Sequence, residues 1–333
     1  MVKAKVYKLV KYFEGFPKKT DLELVEEELR PIETGEFLAK AIYLSVDPYM
    51  RIFSKNLSLG QTMIGTQVAR IIQSKHCHFP EGKLVVLNSG WRTYTISNGK
   101  VSDGHPEPYL TPDIGDCSPS VCLGVLGMPG NTAYFLFLKL CNPNPGETVV
   151  VTGAGGAVGS IAGQIAKIKG CTVIGIAGTE KKGEWITKEL GFDHFINYKT
   201  KNIDEELIKL APQGIDCFFD NVGGKIALNV MKHMNLHGRV AQVGSISSYN
   251  EVNPVDYSIE IERIAKEKEL KVQFGSVYSN THQWLAGIYQ LQVWMYQNKM
   301  KYRETVTEGF DNMFDAFLNM LHGGNIGKAI VKV

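Results

Sequence analysis

Apolar and polar positions follow two different rhythms along the chain. Up to about residue 120 the apolar positions come in short runs, at 4–10, 37–44, 67–72 and 83–87, either alternating with polar residues or unbroken. Turn-forming clusters such as Phe16-Pro17 and Pro80-Glu81-Gly82 separate them. No helical period intervenes, so the pattern predicts strands folded into a bent, barrel-like β unit. Residues 105–119 hold four prolines and predict a loop.

Beyond residue 120 strands and helices take turns. Residues 147–152 (ETVVVT) are the β-branched run expected of a parallel strand buried on both faces. A helix is expected at 156–169, a strand at 171–177, and a helix at 181–190 with Gly191 as its C-cap. A short strand at 194–197, a helix at 204–210, a strand at 215–220, a helix at 225–234 and a strand at 238–243 follow. This succession predicts an α/β domain, a Rossmann-type doubly wound parallel sheet. One more helix is expected at 284–298, and the last residues, 328–333, alternate as the first part does. The expected organisation is thus a β-rich domain over 1–120 completed by 301–333, with the Rossmann domain inserted over 121–300.

Composition narrows the function classes. A chain of 333 residues with 44% hydrophobic and 21% charged residues is neither disordered nor fibrous. A net charge of +2 gives nucleic acid no general attraction, so a basic patch must be local, such as one holding a single phosphate. The six cysteines form no CxxC pair and share no zinc-like spacing with the histidines, so no metal is expected. His76 and His78 straddle Cys77, but in what reads as a turn. The N-terminal residues lack the apolar core of a secretory signal, and no apolar run reaches the roughly 18 residues that span a bilayer. The expectation is a cytoplasmic protein with reduced thiols and no membrane association.

The chemistry concentrates where the strand at 147–152 meets the next helix. There the chain reads Thr152-Gly153-Ala154-Gly155-Gly156-Ala157-Val158-Gly159. Gly153 permits the tight turn, Gly156 lets the backbone approach a pyrophosphate, and Gly159 lets helix and strand pack closely. The alternative is a glycine-rich turn with no ligand, but its strand–turn–helix setting favours a dinucleotide. An NAD site places an acid at the end of the second strand. Here that strand ends Ala177-Gly178-Thr179, followed by Glu180, Lys181 and Lys182. Room for a 2′-phosphate, with lysine as counter-charge, favours NADP(H). Tyr198-Lys199 adds a hydroxyl and a charge. Two later strand ends, Asp220-Asn221-Val222-Gly223-Gly224 and 243–249, suit a cofactor rim. No nucleophile elbow and no HExxH motif is present. Hydride transfer needs neither; it needs a donor for a developing oxyanion, for which Tyr249 and Tyr49 are candidates.

These residues resemble the zinc-independent medium-chain dehydrogenases/reductases, and among them the prostaglandin reductase (leukotriene hydroxydehydrogenase, alkenal/one oxidoreductase) group. The resemblance runs end to end. It rests on Val46-Asp47-Pro48-Tyr49-Met50-Arg51, on Gly127-Met128-Pro129-Gly130, on the glycine turn with Gly163-Gln164-Ile165-Ala166-Lys167, on Asn197-Tyr198-Lys199-Thr200, on Asp220 to Gly224, on Tyr249-Asn250, and on Asn325 with Gly327-Lys328. It implies that the first domain is a GroES-like catalytic domain. It implies a homodimer that uses NADPH to reduce the carbon–carbon double bond of α,β-unsaturated ketones and aldehydes. Alkenals and 15-keto prostaglandins are among these, which places the enzyme in lipid metabolism.

By match, the turn through Gly153, Gly156, Ala157, Val158 and Gly159 holds the pyrophosphate, and Lys182 (or Lys181) with Tyr198 holds the 2′-phosphate. Asn221, the loop Val243, Gly244, Ser245, Ile246, Ser247, Ser248 and Tyr249, residues Gly275, Ser276 and Val277, and Asn325 line the rest of the cofactor. Tyr249 reaches the substrate carbonyl and Tyr49 lines its pocket. The chain departs from the family where a proline-rich loop is usual, reading Asn253-Pro254-Val255-Asp256, and where Phe-Val-Val-Tyr is usual, reading Gly275-Ser276-Val277-Tyr278. These loops face substrate, so the natural substrate stays open. The alternatives are a quinone oxidoreductase of the same superfamily and a non-catalytic NADPH-binding protein.

Overall fold

A computed structural model describes residues 2–101 and 105–333. The chain divides into two compact units, one of residues 1–124 with 304–333, the other of residues 125–303.

The first unit is β-rich. It opens with β1 (Val2–Leu9), β2 (Leu22–Leu29) and β3 (Phe37–Val46), a short helix α1 (Tyr49–Phe53), and then β4 (Gln67–Ser74), β5 (Leu84–Leu87), β6 (Tyr94–Ser97) and β7 (Tyr109–Leu110). β1 and β2 pair antiparallel from Val2↔Leu29 to Leu9↔Leu22. β2 reads LELVEEEL, and its glutamates obscure the alternation that would have marked it as a strand. β7 falls inside the proline-rich stretch expected to be a loop. It pairs only Tyr109 and Leu110 with β5.

The second unit holds α2 (Met128–Leu136), β8 (Thr148–Thr152), α3 (Ala157–Ile168), β9 (Thr172–Ala177), α4 (Glu180–Glu184), β10 (His194–Asn197), α5 (Ile203–Leu210), β11 (Ile215–Asp220), α6 (Gly224–Lys232), β12 (Met234–Gln242), α7 (Ser258–Glu267), β13 (Lys271–Phe274) and α8 (Trp284–Tyr296). Its six strands are all parallel, in the order β10-β9-β8-β11-β12-β13. Numbered within the unit this is 3-2-1-4-5-6, the doubly wound order whose direction reverses between β8 and β11. The central strands are buried because helices cover both faces. Val149, Val150, Val151, Phe218 and Phe219 are fully buried, as the apolar runs require. α4 passes into a π turn over Trp185–Glu189, and Gly191 follows at φ +76°. The helix expected to reach residue 234 stops at Lys232, and Met234 already belongs to β12.

The chain then re-enters the first unit with β14 (Glu304–Glu308), α9 (Met313–Leu321) and β15 (Lys328–Lys332). β15 lies antiparallel to β3, with Ala329 opposite Val46, and parallel to β14. The seven-stranded sheet runs β14-β15-β3-β4-β5-β7, with β6 also on β3. Met50, Trp91, Met313, Phe317 and Val331 share one core, so the first and last parts of the chain bury a common apolar face.

Candidate active site

In an open parallel sheet, ligands sit beyond the carboxyl ends of the strands, at the point where strand order reverses. In the second unit that point is the end of β8 and β11. Gly153 follows β8 at φ +59°, a backbone region that costs other residues strain. The turn closes with the Gly156 N–H donating to the Gly153 carbonyl at 2.9 Å. α3 starts at Ala157, and no side chain caps its first N–H groups, which leaves them to meet an anion. A methyl group on Gly159 would stand 2.4 Å from the Gly153 carbonyl oxygen, so only glycine lets the helix start this close to the turn. Ala157 and Val158 occupy the first turn of α3, between these glycines.

The end of β9 gathers positive charge. A methyl group on Gly178 would stand 3.0 Å from the Tyr198 hydroxyl and 3.1 Å from Lys199 Cε. The stem of Lys182 covers Gly155, whose added methyl would meet Lys182 Cβ at 2.9 Å. Thr179 caps α4 by accepting the Lys182 N–H at 3.3 Å. Burial, and then the charge of Lys199, hold the Lys182 ammonium below the usual lysine range. The nearest acid after β9, Glu180, accepts from Asn197 Nδ2 at 2.7 Å. Lys181 is exposed. The structure adds two residues to this end: Lys199, whose charge acts on Lys182, and Gly155, which lies under the Lys182 stem. Lys199 reaches this end because β10 ends in register with β9, Asn197 opposite Ala177, which spacing does not reveal.

The two rims expected after β11 and β12 are strapped together. Thr152 Oγ1 donates to Asp220 at 2.7 Å and accepts the Asn221 N–H at 2.9 Å, while Asn221 Nδ2 donates to the Thr152 carbonyl at 2.7 Å. Asp220 also accepts the N–H groups of Val222 and Gly223, both at 3.0 Å, and its burial pushes the carboxyl pKa up. These bonds hold Asn221 beside Gly153. The Val243 and Gly244 N–H groups donate to the Asp220 carbonyl at 2.8 and 3.2 Å, and Ser247 Oγ donates to the Val222 carbonyl at 2.7 Å. Ile246 and Ser248 lie on the same short 3₁₀ turn. The Tyr249 hydroxyl accepts the Ser245 N–H at 3.1 Å, so its own proton points elsewhere. Gly275, past the end of β13, donates its N–H to the Gln242 carbonyl at 3.2 Å; Ser276 is exposed and Val277 buried.

Tyr49 and Asn325 belong to the other unit. Tyr49 opens α1, half-buried, its ring 6.2 Å from that of Phe53. Asn325 Nδ2 donates to the Gly327 carbonyl at 2.7 Å. Among the described residues no three His, Cys, Asp or Glu side chains come together as a metal site. His76 instead accepts the His78 N–H at 3.1 Å. Among the same residues no helix is long and apolar enough to cross a membrane.

Comparison with known proteins places this geometry. Residues 5–103 match the family model described as the N-terminal domain of oxidoreductase, and residues 157–292 the one described as zinc-binding dehydrogenase. Prostaglandin reductase 1 of Bos taurus is 46% identical, covering 100% of both chains. The NADPH-dependent curcumin reductase of Escherichia coli is 35% identical over 96% of this chain and 94% of its own. The structure of CurA from Vibrio vulnificus in complex with NADPH superposes with a TM-score of 0.92 at 34% identity, covering 99% of each chain. The quinone oxidoreductase of Escherichia coli, at 18% identity and a TM-score of 0.78, shares the fold.

Proposed function

The chain belongs to the zinc-independent medium-chain dehydrogenases/reductases, and from that membership we propose that it is an NADPH-dependent reductase of α,β-unsaturated ketones and aldehydes. One observation carries the cofactor choice: Lys182, Tyr198 and Lys199 cluster at the end of β9, where the nearest acid in sequence, Glu180, is held by Asn197. Two lysines so close repel each other, and a doubly charged 2′-phosphate relieves that repulsion. Full-length identity to reductases supports the rest.

Bound along this rim, NADPH supplies a hydride to the β-carbon of the enone. The protein's part is placement and charge. The glycine turn and the first N–H groups of α3 hold the pyrophosphate. Asn221 and the 243–249 loop fix the far end, braced by Asp220. Gly275, Ser276 and Val277 complete the cofactor's surroundings within this unit, and from the family we assign Asn325 to the cofactor and Tyr49 to the substrate. The Tyr249 hydroxyl already accepts from Ser245, so its proton is available to the carbonyl oxygen as enolate charge develops there. That polarised acceptor then takes a proton at its α-carbon from solvent.

The substrates we assign are alkenals, longer enones and 15-keto prostanoids, in a cytoplasmic homodimer acting in lipid metabolism. The test is an NADPH-oxidation screen over these three classes, with quinones as the contrast. Turnover of enones above quinones is expected. NADPH consumed with quinones alone, or tight NADPH binding with no turnover of any acceptor, sinks the reading.

A further inference from the structure

We propose that the buried ion pair of Lys328 and Asp47 is a positioning pair, which fixes α1, and so Tyr49, to the turn that carries Asn325. It rests on the roles just assigned to Tyr49 and Asn325. Lys328 is 3% exposed and Asp47 4%. Lys328 Nζ donates to Asp47 Oδ1 at 3.0 Å, to the Val46 carbonyl at 2.7 Å and to the Ala329 carbonyl at 2.8 Å, which uses all three of its protons. The other oxygen of Asp47 accepts the Ser45 hydroxyl.

The two partners are the residues at which two segments begin. The Asp47 carbonyl accepts the Met50 N–H at 3.2 Å, so Asp47 opens the first turn of α1, two positions before Tyr49. On the other side Gly327, at φ +67°, takes the Asn325 amide on its carbonyl. Ile326 is held there by Thr305, whose hydroxyl accepts the Ile326 N–H at 2.9 Å and donates to the Ile326 carbonyl at 3.0 Å. One lysine thus ties together two stretches 282 residues apart in sequence.

Stability alone does not account for the pair. Taking both charges out of water costs about as much as their attraction returns, and well-packed apolar residues of the same size would serve folding as well. What apolar residues lack is direction. The lysine also has a choice of carboxylates. Glu304 lies opposite it in the β14–β15 register, yet Glu304 accepts the Ser120 hydroxyl at 2.7 Å, and its Oε1 has no hydrogen-bond partner. The lysine bonds instead to the carboxylate that starts α1.

Two measurements on the full chain test this. The first is hydrogen exchange in Lys328→Met and in the apolar double replacement Asp47→Leu/Lys328→Met. Exchange at 47–53 and 325–327 is expected to rise tenfold or more while the remaining strands keep their protection. Unchanged exchange in both segments, or an equal rise everywhere, overturns the proposal. The second is a double-mutant cycle on kcat/KM for an enone. Lys328→Met is expected to lower it tenfold or more in the wild type and less than twofold in a Tyr49→Ala background. Equal losses in both backgrounds refute action through Tyr49. If the pair variants do not fold, Ser45→Ala removes only the second partner of Asp47. Faster exchange at 47–53 is then expected, and none there refutes the pair's role. A wild type that reduces no enone sinks the activity assignment, and the exchange result alone then decides on the pair.

Discussion

Lys182 is a half-buried cation facing a second cation, an arrangement that favours a bound anion. Lys182→Ala is expected to raise the KM for NADPH about tenfold or more, roughly the loss of one charge-assisted contact, and to leave NADH nearly untouched. Unchanged selectivity in both Lys181→Ala and Lys182→Ala would remove the phosphate assignment. A pH effect follows with its sign. The free protein holds this ammonium low, and a bound phosphate raises it, so binding takes up protons at alkaline pH and affinity falls as pH rises. Calorimetry in two buffers of different ionisation heat reads that uptake, and Lys182→Ala should abolish it. Tyr249→Phe should raise the barrier to kcat by about 1–3 kcal/mol, a larger effect than on cofactor affinity. An unchanged kcat takes Tyr249 out of the chemistry. The missing acid at the end of β9 is what points to Lys182 in the sequence, and the position of Tyr198 at the end of a later element is what points to it. The bracing of Asn221 by Thr152 and Asp220 is not legible there, since it joins residues 68 and 69 positions apart.

At the scale of elements, α3 and its turn depend on a contact without slack. Gly159→Ala is expected to cost about 1–3 kcal/mol of stability through overpacking and to weaken NADPH binding together with it, read by denaturant midpoint and by titration. Full affinity in that variant would mean that the turn does not hold the pyrophosphate. The first βα units were legible because β8, β9 and β11 are short apolar runs and glycines mark the start of α3 and α6. Other elements were not. β2 carries glutamates at positions 23, 26, 27 and 28, so its strand character comes from pairing with β1. α7 (SIEIERIAKE) buries Ile264 alone and leaves its other face to water, and β14 (ETVTE) is a strand because β15 lies beside it. In each case tertiary partners outweigh local composition.

For the whole molecule, the homodimer we propose can be tested at one surface. β13 is an edge of the six-stranded sheet, and Phe274 at its end is 77% exposed. Open edges with exposed aromatics recruit a partner strand. Phe274→Glu is expected to convert dimer to monomer in sedimentation, and a wild-type monomer would end the assignment. The interleaving of the chain has a further consequence, for its birth on the ribosome. Strand β3 emerges early, but its neighbour β15 is made only after the whole second unit. With 282 residues between Val46 and Lys328 and synthesis at about 5–20 residues per second, the delay is roughly 14–56 s. For that interval the nascent protein carries a sticky, half-finished sheet. A premature stop codon just before β15 should therefore strand the product as a chaperone client, although every element of the second unit has already been translated.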